Sequence, residues 1–504
     1  MEIFDVIVIG AGSGGYAAAI KCAQHGMRVA IVDRGQANNQ NKLGGVCLNT
    51  GCIPLKIMLN IAQKYLQLQQ YNKLGIELDN VNLNLKKIYS YKKDIIENIE
   101  HKMRLDLQKY GIIHFVDDAS LTRRTASNQQ YIYKNKPHSN LNENKLIEVH
   151  LIEKKINIYG KNIILATGSK NITLEKSFSN KFWSSDNILT LKKIPKNILI
   201  IGSGYIGIQL SFLLQALGSK VILLDKHTKF LTEMDCDVSE AIMKNLTEHG
   251  VKIILNHTLV EEEFKKQMHY IKIENLTTKA ILELKVENIL IAIGRRPCLD
   301  GLFKDIKKRE LDIKINERGF VIVNSNFQTT EENIFAIGNI IKGPGLANKA
   351  EEEAIFLADF LSRSKADFLP SNNQDKTINY NLIPHIIAIM PEVSSIGICE
   401  KKSEMNFNDY KIGRVEFDFD LDQGINLMNN SKNFIKIITD KQDKILGCHI
   451  VGQYAGFLIH EVAAIMNLGG TIKDLAKINH SHPTPSEALR KLAHSMLNIK
   501  NEQG

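Results

Sequence analysis

Cysteine is scarce in this chain, with seven residues among 504. Five of them lie far apart along the sequence: Cys22, Cys236, Cys298, Cys399 and Cys448. This excludes a disulfide scaffold and favours a reducing compartment, so we expect a cytoplasmic protein. No signal peptide is expected, because an apolar strand, Phe4 to Ile9, begins almost at the first residue. No apolar run is expected to reach the length that spans a membrane.

Charge of one sign does not accumulate in any one segment. The formal net charge is +9, but the basic residues are spread along the chain. This pattern favours a solvated surface over a nucleic-acid groove. Hydrophobic residues make up 44% and charged residues 24%, a balance typical of globular proteins, and the length predicts more than one domain.

A repeated pattern divides the chain. Near the N-terminus, an apolar run leads into Gly10, Gly12 and Gly15, and a second apolar run ends at Asp33. The first two glycines of this motif permit a tight turn that brings backbone N–H groups near a pyrophosphate, and the third lets the helix pack closely on the strand. The acid at the end of the second strand can accept hydrogen bonds from a ribose. This first fingerprint predicts a βαβ unit that binds a dinucleotide.

The second copy has Gly202, Gly204 and Gly207, and its acid, Asp225, lies the same distance beyond the third glycine. One such motif is weak evidence, whereas two copies with strand, helix and spaced acid are strong evidence. Asp225 favours NAD, because a carboxylate accepts from a ribose 2′-hydroxyl and repels a 2′-phosphate. Lys226, His227 and Lys229 follow it and could tolerate NADPH.

Two further cysteines form a close pair. Cys47 and Cys52 lie among glycines downstream of the first fingerprint, with four residues between them. A disulfide that closes so short a loop adds little stability, because loop-closure entropy grows with loop length. A metal half-site would require more ligands nearby, so no metal is expected. The pair therefore indicates redox chemistry.

Other segments have simpler interpretations. The ranges 55–70, 85–110 and 348–363 are predicted helices. The polar, Asn-rich range 122–144 predicts a surface hairpin or loop. A return loop is expected at Gly294, and a further strand ends near Asn339.

The order of these motifs resembles that of the flavoprotein disulfide reductases. The run from Gly44 to Pro54 resembles their redox-active motif, and the two fingerprints resemble their FAD and NAD(P) sites. The C-terminal His482-Pro483-Thr484, with Glu487 beyond it, is similar to the branch that oxidises dihydrolipoamide. The resemblance covers nearly the whole chain.

The resemblance implies an α/β fold with two Rossmann-like dinucleotide-binding domains, for FAD and NAD, and a C-terminal α+β dimerisation domain. It divides the chain into a first FAD-binding part at 1–168, an NAD-binding domain at 169–293, a second FAD or central part at 294–370 and a dimerisation domain at 371–504. It adds further cofactor-binding positions to the fingerprints: Lys56, Thr167, Gly168, Gly294, Asn339 and Ala347.

The resemblance also implies the roles of the catalytic residues. Cys47 would face the dithiol substrate and Cys52 the flavin. His482 would deprotonate the substrate thiol, with Glu487 bonded to its other ring nitrogen. In this family the pair would serve the cysteines of the other subunit, so a homodimer is expected. Tyr205 is either a cover for the nicotinamide pocket or a packing aromatic.

Several positions depart from the family pattern. Lys56 matches a lysine near the flavin, but Gln209 stands where its usual glutamate partner would be. A desolvated lysine without a carboxylate is expected to have a lowered pKa. Asn339 replaces a usual aspartate, and Asp33 replaces a usual glutamate.

The function expected from the resemblance is FAD-dependent oxidation of protein-bound dihydrolipoamide with NAD+. The expected partners are the lipoyl domains of a 2-oxo acid dehydrogenase or glycine-cleavage complex. Two alternatives remain open: an NAD(P)H-dependent reductase of another small disulfide, such as glutathione, and a divergent FAD-binding paralogue with a regulatory or assembly role.

Overall fold

The protein is described by a computed structural model that covers most of the chain. The described residues are 2–35, 42–68, 71–123, 146–174, 178, 181–191, 193–303, 311–363, 377–400, 409–417 and 433–498. The chain divides into two compact units, each built from three segments. The first unit comprises 1–54, 90–171 and 295–380, and the second comprises 55–89, 172–294 and 381–504.

The α-helices of the described residues are numbered in chain order. They are α1 (Ser13–Gln24), α2 (Gly45–Asn49), α3 (Cys52–Leu68), α4 (Leu85–Lys109), α5 (Ser185–Ile188), α6 (Tyr205–Ala216), α7 (Cys236–Glu248), α8 (Ala347–Ser362), α9 (Ala455–Asn467), α10 (Ile472–Lys477) and α11 (Glu487–Asn498).

The strands are numbered in the same way. The first ten are β1 (Ile3–Ile9), β2 (Val29–Asp33), β3 (Ile113–Val116), β4 (Ala119–Arg123), β5 (Ile147–Leu151), β6 (Ile156–Leu165), β7 (Ser169–Asn171), β8 (Asn197–Ile201), β9 (Lys220–Leu224) and β10 (Lys252–Ile254). The others are β11 (His257–Lys265), β12 (Met268–Asn275), β13 (Ile281–Val286), β14 (Asn288–Ile291), β15 (Arg295–Pro297), β16 (Ile334–Ala336), β17 (His385–Ile387), β18 (Val393–Gly397), β19 (Tyr410–Glu416), β20 (Phe434–Asp440) and β21 (Ile445–Val451).

The first unit is built on a seven-stranded sheet in the order β3-β2-β1-β6-β5-β4, with β16 added beside β6. Strands β3, β2, β1, β6 and β16 are parallel, whereas β4 and β5 run antiparallel. The last four residues of β1 are all buried, as expected for a parallel strand covered on both faces. Helices α1 and α8 pack together, and the Cα of Gly14 lies so close to Ala350 that a Cβ there would be 3.1 Å from it.

The described residues of the second unit form three sheets. A parallel sheet in the order β10-β9-β8-β14 carries the second fingerprint, and β11, β12 and β13 form an antiparallel meander. A five-stranded antiparallel sheet has the order β17-β18-β21-β20-β19. Its core includes Ile437, Cys448 and Ile450 from the strands, packed with Val462 and Leu489 from the helices α9 and α11.

The three predicted helices are confirmed, with shifted ends. The helix expected from residue 55 begins at Cys52, because Pro54 occupies its first turn, where a missing N–H breaks no helical hydrogen bond. The predicted hairpin at 122–144 falls almost entirely outside the described residues. So does the predicted boundary between residues 370 and 371.

One described segment departs from the expectation about apolar runs. Residues 45–68 are long and apolar enough, by length and composition alone, to cross a membrane. A core helix of a globular protein passes the same test. In α3, Met58, Leu59 and Ala62 are buried in the core of the second unit.

Candidate active site

The cysteine pair lies against the first fingerprint. Gly44 and Gly45 have φ values of +93° and +57°, which turn the chain into the short helix α2 that carries Cys47. The N–H of Gly44 donates to the carbonyl of Ala11 at 3.0 Å. A Cβ on Gly45 would lie 2.8 Å from the Cα of Gly12. Glycine is therefore required here because the redox loop touches the backbone of the dinucleotide turn.

The two cysteines are free thiols in different electrostatic states. A hydrogen bond from the Cys47 thiol, with a backbone hydrogen bond and the positive charge of Arg295, lowers the pKa of Cys52 to about 7. The same hydrogen bond, together with burial, raises the pKa of Cys47. Cys47 is half-buried and Cys52 is exposed. Near neutral pH the reduced pair therefore carries its negative charge on Cys52.

The first fingerprint forms an open phosphate cradle. Gly10 has a φ of +104°, and a Cβ on Gly15 would overlap the carbonyl oxygen of Gly10. Gly12 precedes α1 without any side-chain cap, and the position of its missing Cβ has nothing within 4 Å. The N–H groups of the first turn are thus left for a ligand, which fits the pyrophosphate of a dinucleotide. Asp33 accepts hydrogen bonds from the N–H groups of Ala11 and Gly35 at 2.5 and 2.7 Å.

The second fingerprint repeats this geometry. Gly202 has a φ of +106°, and a Cβ on Gly207 would overlap the Gly202 carbonyl oxygen. Gly204 precedes α6 without a side-chain cap, and nothing lies within 4 Å of its missing Cβ. Asp225 accepts from the N–H and hydroxyl of Ser203 at 2.6 and 2.7 Å. The second cradle therefore also fits a dinucleotide.

Other predicted cofactor positions lie at turns. Thr167 donates through its hydroxyl to the Cys298 carbonyl at 2.6 Å, and Gly168 has a φ of +71°. Gly294, with a φ of +115°, accepts at its carbonyl from the N–H of Ile172 at 3.1 Å. These contacts hold the turns that follow β6 and β14.

Asn339 lies in a 3-10 turn ahead of α8, and its amide donates to the Ser169 hydroxyl at 3.3 Å. Ala347 is the first residue of α8, whose N-terminus has no side-chain cap. The adjacent Gly338 is held on both sides: its N–H donates to Glu353 at 2.7 Å and its carbonyl accepts from Lys349 at 2.9 Å.

Lys349 and Glu353 were missed by the sequence reasoning. They form a fully buried ion pair of 2.9 Å, and Tyr380 also donates to Glu353. The signal that could have found them is their spacing of four residues in an otherwise apolar helix face. Removing either partner would leave an uncompensated charge in the core, so the pair fixes the turn that carries Asn339.

The expectation that Lys56 lacks a carboxylate partner is wrong. Its ammonium group lies 2.7 Å from Glu392, 336 residues further along the chain. Gln209 is engaged elsewhere, since its side-chain oxygen accepts from the Ala388 N–H at 3.1 Å and its amide donates to the Tyr205 carbonyl at 3.0 Å. The substitution at position 209 has therefore not left the lysine unpaired.

Tyr205 begins α6, and its half-exposed ring packs edge-on against His385 with 5.6 Å between ring centroids. This contact with His385 supports a packing role for the ring. The exposed face of the ring is also compatible with a cover for the nicotinamide pocket.

His482 and Glu487 lie together at the start of α11. The Nδ1 atom of His482 is 2.8 Å from a Glu487 carboxylate oxygen, and the imidazole is 83% exposed. Thr484 donates to the Ser481 carbonyl at 2.7 Å and bonds to Ser486 at 2.8 Å, which shapes the turn before the helix. The carboxylate orients the ring and leaves Nε2 available to a substrate.

The predicted catalytic residues thus form two groups. The cysteines belong to the first unit, whereas His482 and Glu487 belong to the second. A shallow cavity beside the histidine is lined by Asn479, His480, His482, Glu487, Arg490, Lys491 and His494.

Comparison with known proteins identifies relatives along almost the entire chain. Residues 4–354 match the pyridine nucleotide-disulphide oxidoreductase family, and residues 383–493 match the dimerisation domain of that family. The chain is 33% identical to a dihydrolipoyl dehydrogenase of Buchnera aphidicola subsp. Acyrthosiphon pisum (strain APS), over 96% of this chain and 94% of the relative. It is 31% identical to the mitochondrial dihydrolipoyl dehydrogenase of Caenorhabditis elegans, over 97% and 91%.

A solved structure has the same fold. The Cu(II) complex of the HOCl-induced flavoprotein disulfide reductase RclA from Escherichia coli matches with a TM-score of 0.77 and 23% identity. The match covers 98% of this chain and 100% of that structure. The predicted fold class is confirmed.

Proposed function

Because this chain belongs to the pyridine nucleotide-disulphide oxidoreductase family, with FAD and NAD(H) as its cofactors, we propose that it is a dihydrolipoyl dehydrogenase. Its substrate would be dihydrolipoamide on the lipoyl domain of a 2-oxo acid dehydrogenase or glycine-cleavage complex. Its active unit would be a homodimer, in keeping with the dimerisation domain. The observation that carries the proposal is the cysteine pair, polarised toward Cys52 and lying against the first dinucleotide cradle.

The proposed reaction begins with the oxidised pair, in which Cys47 and Cys52 share a disulfide. His482 takes the proton of one substrate thiol, while Glu487 stabilises the imidazolium that results. The substrate thiolate attacks the sulfur of Cys47, and the disulfide breaks with Cys52 leaving as a thiolate. Attack on Cys47 places the leaving thiolate on Cys52, where the positive charge of Arg295 stabilises it.

The second substrate thiol then attacks the substrate sulfur of the mixed disulfide, and its proton passes to the departing Cys47. This closes the lipoyl disulfide and releases Cys47, which keeps that proton because its pKa is raised, while the first proton stays on His482. Two electrons have reached the cysteine pair, and its charge rests on Cys52. Bound FAD supplies the chemistry that takes this electron pair onward to NAD+ as a hydride.

Residues of both cradles would hold the cofactors. The open N-termini of α1 and α6 would bind the pyrophosphates of FAD and NAD+ respectively, with Asp33 and Asp225 toward the riboses. The buried pair at Lys349 and Glu353 would keep the Asn339 turn in place for FAD.

The test separates the two cysteines. In the two-electron-reduced holoenzyme, we expect a long-wavelength band from a thiolate beside the flavin, appearing with a pKa of about 7. Cys47→Ser cannot form the disulfide, so it should show the band before any reduction, because Cys52 is then a free thiol beside oxidised flavin. The pKa of its band should be higher, because the thiol donor is weakened. Cys52→Ser should abolish the band. An unchanged band in Cys52→Ser would contradict the electron path.

Substrate choice is tested by steady-state rates. Dihydrolipoamide with NAD+ should be turned over far faster than oxidised glutathione with NADH or NADPH. The reverse ranking would favour a reductase of another small disulfide. Background rates with all substrates, with FAD and the dimer intact, would favour a regulatory or assembly role.

A further inference from the structure

Residues 388–392, between β17 and β18, are held by contacts from several elements of the second unit. Ala388 donates its N–H to Gln209 of α6 at 3.1 Å. Gln63 of α3 donates to the carbonyl groups of Ala388 and Ile389 at 3.4 and 3.1 Å. The last residue of the segment, Glu392, accepts at its carbonyl from the N–H of Gly452 at 2.8 Å. Backbone contacts therefore fix where the Glu392 side chain begins.

Each oxygen of the Glu392 carboxylate has its own partner. Oε1 lies 2.7 Å from the Lys56 ammonium group of α3, and Oε2 accepts from the Gly456 N–H at 2.9 Å. Gly456 is in the first turn of α9, whose N-terminus has no side-chain cap from Tyr454. The carboxylate therefore caps α9 from outside, where the helix dipole favours negative charge.

The two side chains of this ion pair differ in their exposure to solvent. The Glu392 side chain is 16% exposed, whereas the Lys56 side chain is 43% exposed. Glu392 is thus the rigid partner, fixed by the N–H groups of Gly452 and Gly456, and Lys56 is the side chain that it orients. Lys56 follows Cys52 by four residues in α3, and by helix periodicity such residues share a face.

From this arrangement we propose that Glu392 is a positioning residue of the redox site. It holds the Lys56 ammonium group and neutralises much of its charge, and it thereby sets how strongly the site favours the negatively charged, reduced state. A redox role for the helix that carries Cys52 rests on the proposed function, but the choice of dithiol substrate does not enter the argument.

The direction of the effect follows from the charges. Without the Glu392 carboxylate, the positive charge of Lys56 is uncompensated, so anionic states on the same helix face are stabilised. Two-electron reduction places a thiolate on Cys52 or negative charge on bound flavin. Its midpoint potential should therefore rise when Glu392 is neutralised.

The experiment uses Glu392→Gln in the holoenzyme, because glutamine retains an oxygen that can accept from Gly456. Reductive titration with dithionite should show an upward shift in midpoint potential. A tenfold change in the reduction equilibrium corresponds to about 30 mV for this two-electron couple. The pKa of the thiolate band should fall in the same variant. Glu248→Gln, which removes the carboxylate of the exposed Lys244 pair, is the matched control and should shift neither.

A second background separates positioning from a merely structural role. In Lys56→Met, adding Glu392→Gln should raise the midpoint potential by less than in the wild-type background, because only the direct charge of the carboxylate is then removed. Any loss of the α9 cap would lower thermal stability in both backgrounds. Equal potential shifts with and without Lys56, or an unshifted potential in folded Glu392→Gln, would overturn the proposal. Neither measurement uses dihydrolipoamide, so failure of the proposed substrate would remain distinguishable.

Discussion

At the first fingerprint Gly10 has a φ of +104°, and at the second Gly202 has a φ of +106°. The glycines that begin the following helices are equally similar, with φ and ψ of −72° and −174° at Gly12 and −74° and −179° at Gly204. The two turns are thus nearly the same backbone. Because both close the same strand-to-helix connection, the glycine spacing alone accounts for their shared geometry.

The acids at the ends of β2 and β9 differ in their donors. Asp33 accepts from two backbone N–H groups, those of Ala11 and Gly35. Asp225 has the equivalent backbone donors in Ser203 and His227. It also accepts from the Ser203 hydroxyl and lies 2.7 Å from the His227 ring nitrogen.

The pKa values of the two acids are shifted in opposite directions, upward for Asp33 and downward for Asp225. Burial raises the pKa of Asp33, and its backbone donors do not overcome that effect. Burial also acts to raise the pKa of Asp225, but the bonds from His227 and Ser203 outweigh it and lower the pKa. A shared backbone motif therefore does not determine the pKa of its acid, since burial and the neighbouring side chains decide it together.

The largest expected effect comes from the third glycine of each fingerprint. Gly15→Ala should produce protein that lacks bound FAD, because the added Cβ overlaps the Gly10 carbonyl. Gly207→Ala should keep FAD but lose reduction by NADH. Overpacking of this kind costs about 1–3 kcal/mol of stability. Flavin absorbance per protein and NADH-dependent bleaching measure the two outcomes.

Gly12→Ala and Gly204→Ala are the stability controls for those variants, because nothing lies within 4 Å of either added Cβ. In the absence of FAD and NAD(H), they should unfold close to the temperature of flavin-free wild-type protein. If Gly15→Ala and Gly207→Ala both bind FAD and react with NADH normally, the two fingerprints do not have the assigned ligands.

An intermediate effect, on the free energy of unfolding, is expected when Asp225 is replaced. Asp225→Asn in the NAD-free holoenzyme should lower the free energy of unfolding at pH 7 by about 1–3 kcal/mol, since hydrogen bonds to a charged acceptor are lost. Because folding lowers the pKa of Asp225, its stabilisation is present above the unfolded value and lost as the pH falls through the folded value. Urea unfolding at several pH values measures this difference.

Asp33→Asn provides the contrast in that experiment. Folding raises the pKa of Asp33, so its contribution is present below the unfolded pKa and lost as the pH rises through the folded pKa. In flavin-free samples, the destabilisation by Asp33→Asn should therefore be smaller at pH 7 than that by Asp225→Asn. Parallel pH profiles for the two variants would mean that the side-chain donors do not matter.

The smallest effect concerns the histidine beside Asp225. His227→Ala should lower KM for NAD+ by about 2–10-fold, the equivalent of one net hydrogen bond, because the carboxylate oxygen is then free to accept from a ribose. Lys226→Ala removes a neighbouring charge without a bond to Asp225 and should not lower KM. A rise in KM for His227→Ala would show that the ring assists NAD+ binding.

Local patterns predicted much of the site. The glycine spacings predicted both cradles, and the short distance between Cys47 and Cys52 predicted a redox pair. The turn that brings His482 to Glu487 follows from five residues of separation at a helix start. Each of these features depends on a few consecutive residues, whose backbone geometry is restricted by glycine, proline and helix periodicity.

Interactions between distant segments were not predictable in this way. The sequence suggested an unpaired Lys56, yet Glu392 lies beside it from 336 residues away. The spacing of Lys349 and Glu353 could suggest an ion pair, but not that both would hold Gly338 in the core. Nor could the spacing of the cysteines indicate which one carries the charge.

By itself, the sequence predicted the two dinucleotide turns, the close cysteine pair and, through the family resemblance, the histidine with its carboxylate, because each lies within a short stretch of chain. Only the tertiary structure decided the charge balance around them: the polarity from Cys47 to Cys52, the different states of Asp33 and Asp225, and the partner of Lys56. The physical reason is that backbone turns depend on local sterics, whereas a pKa or an ion pair depends on which groups packing brings within a few ångströms.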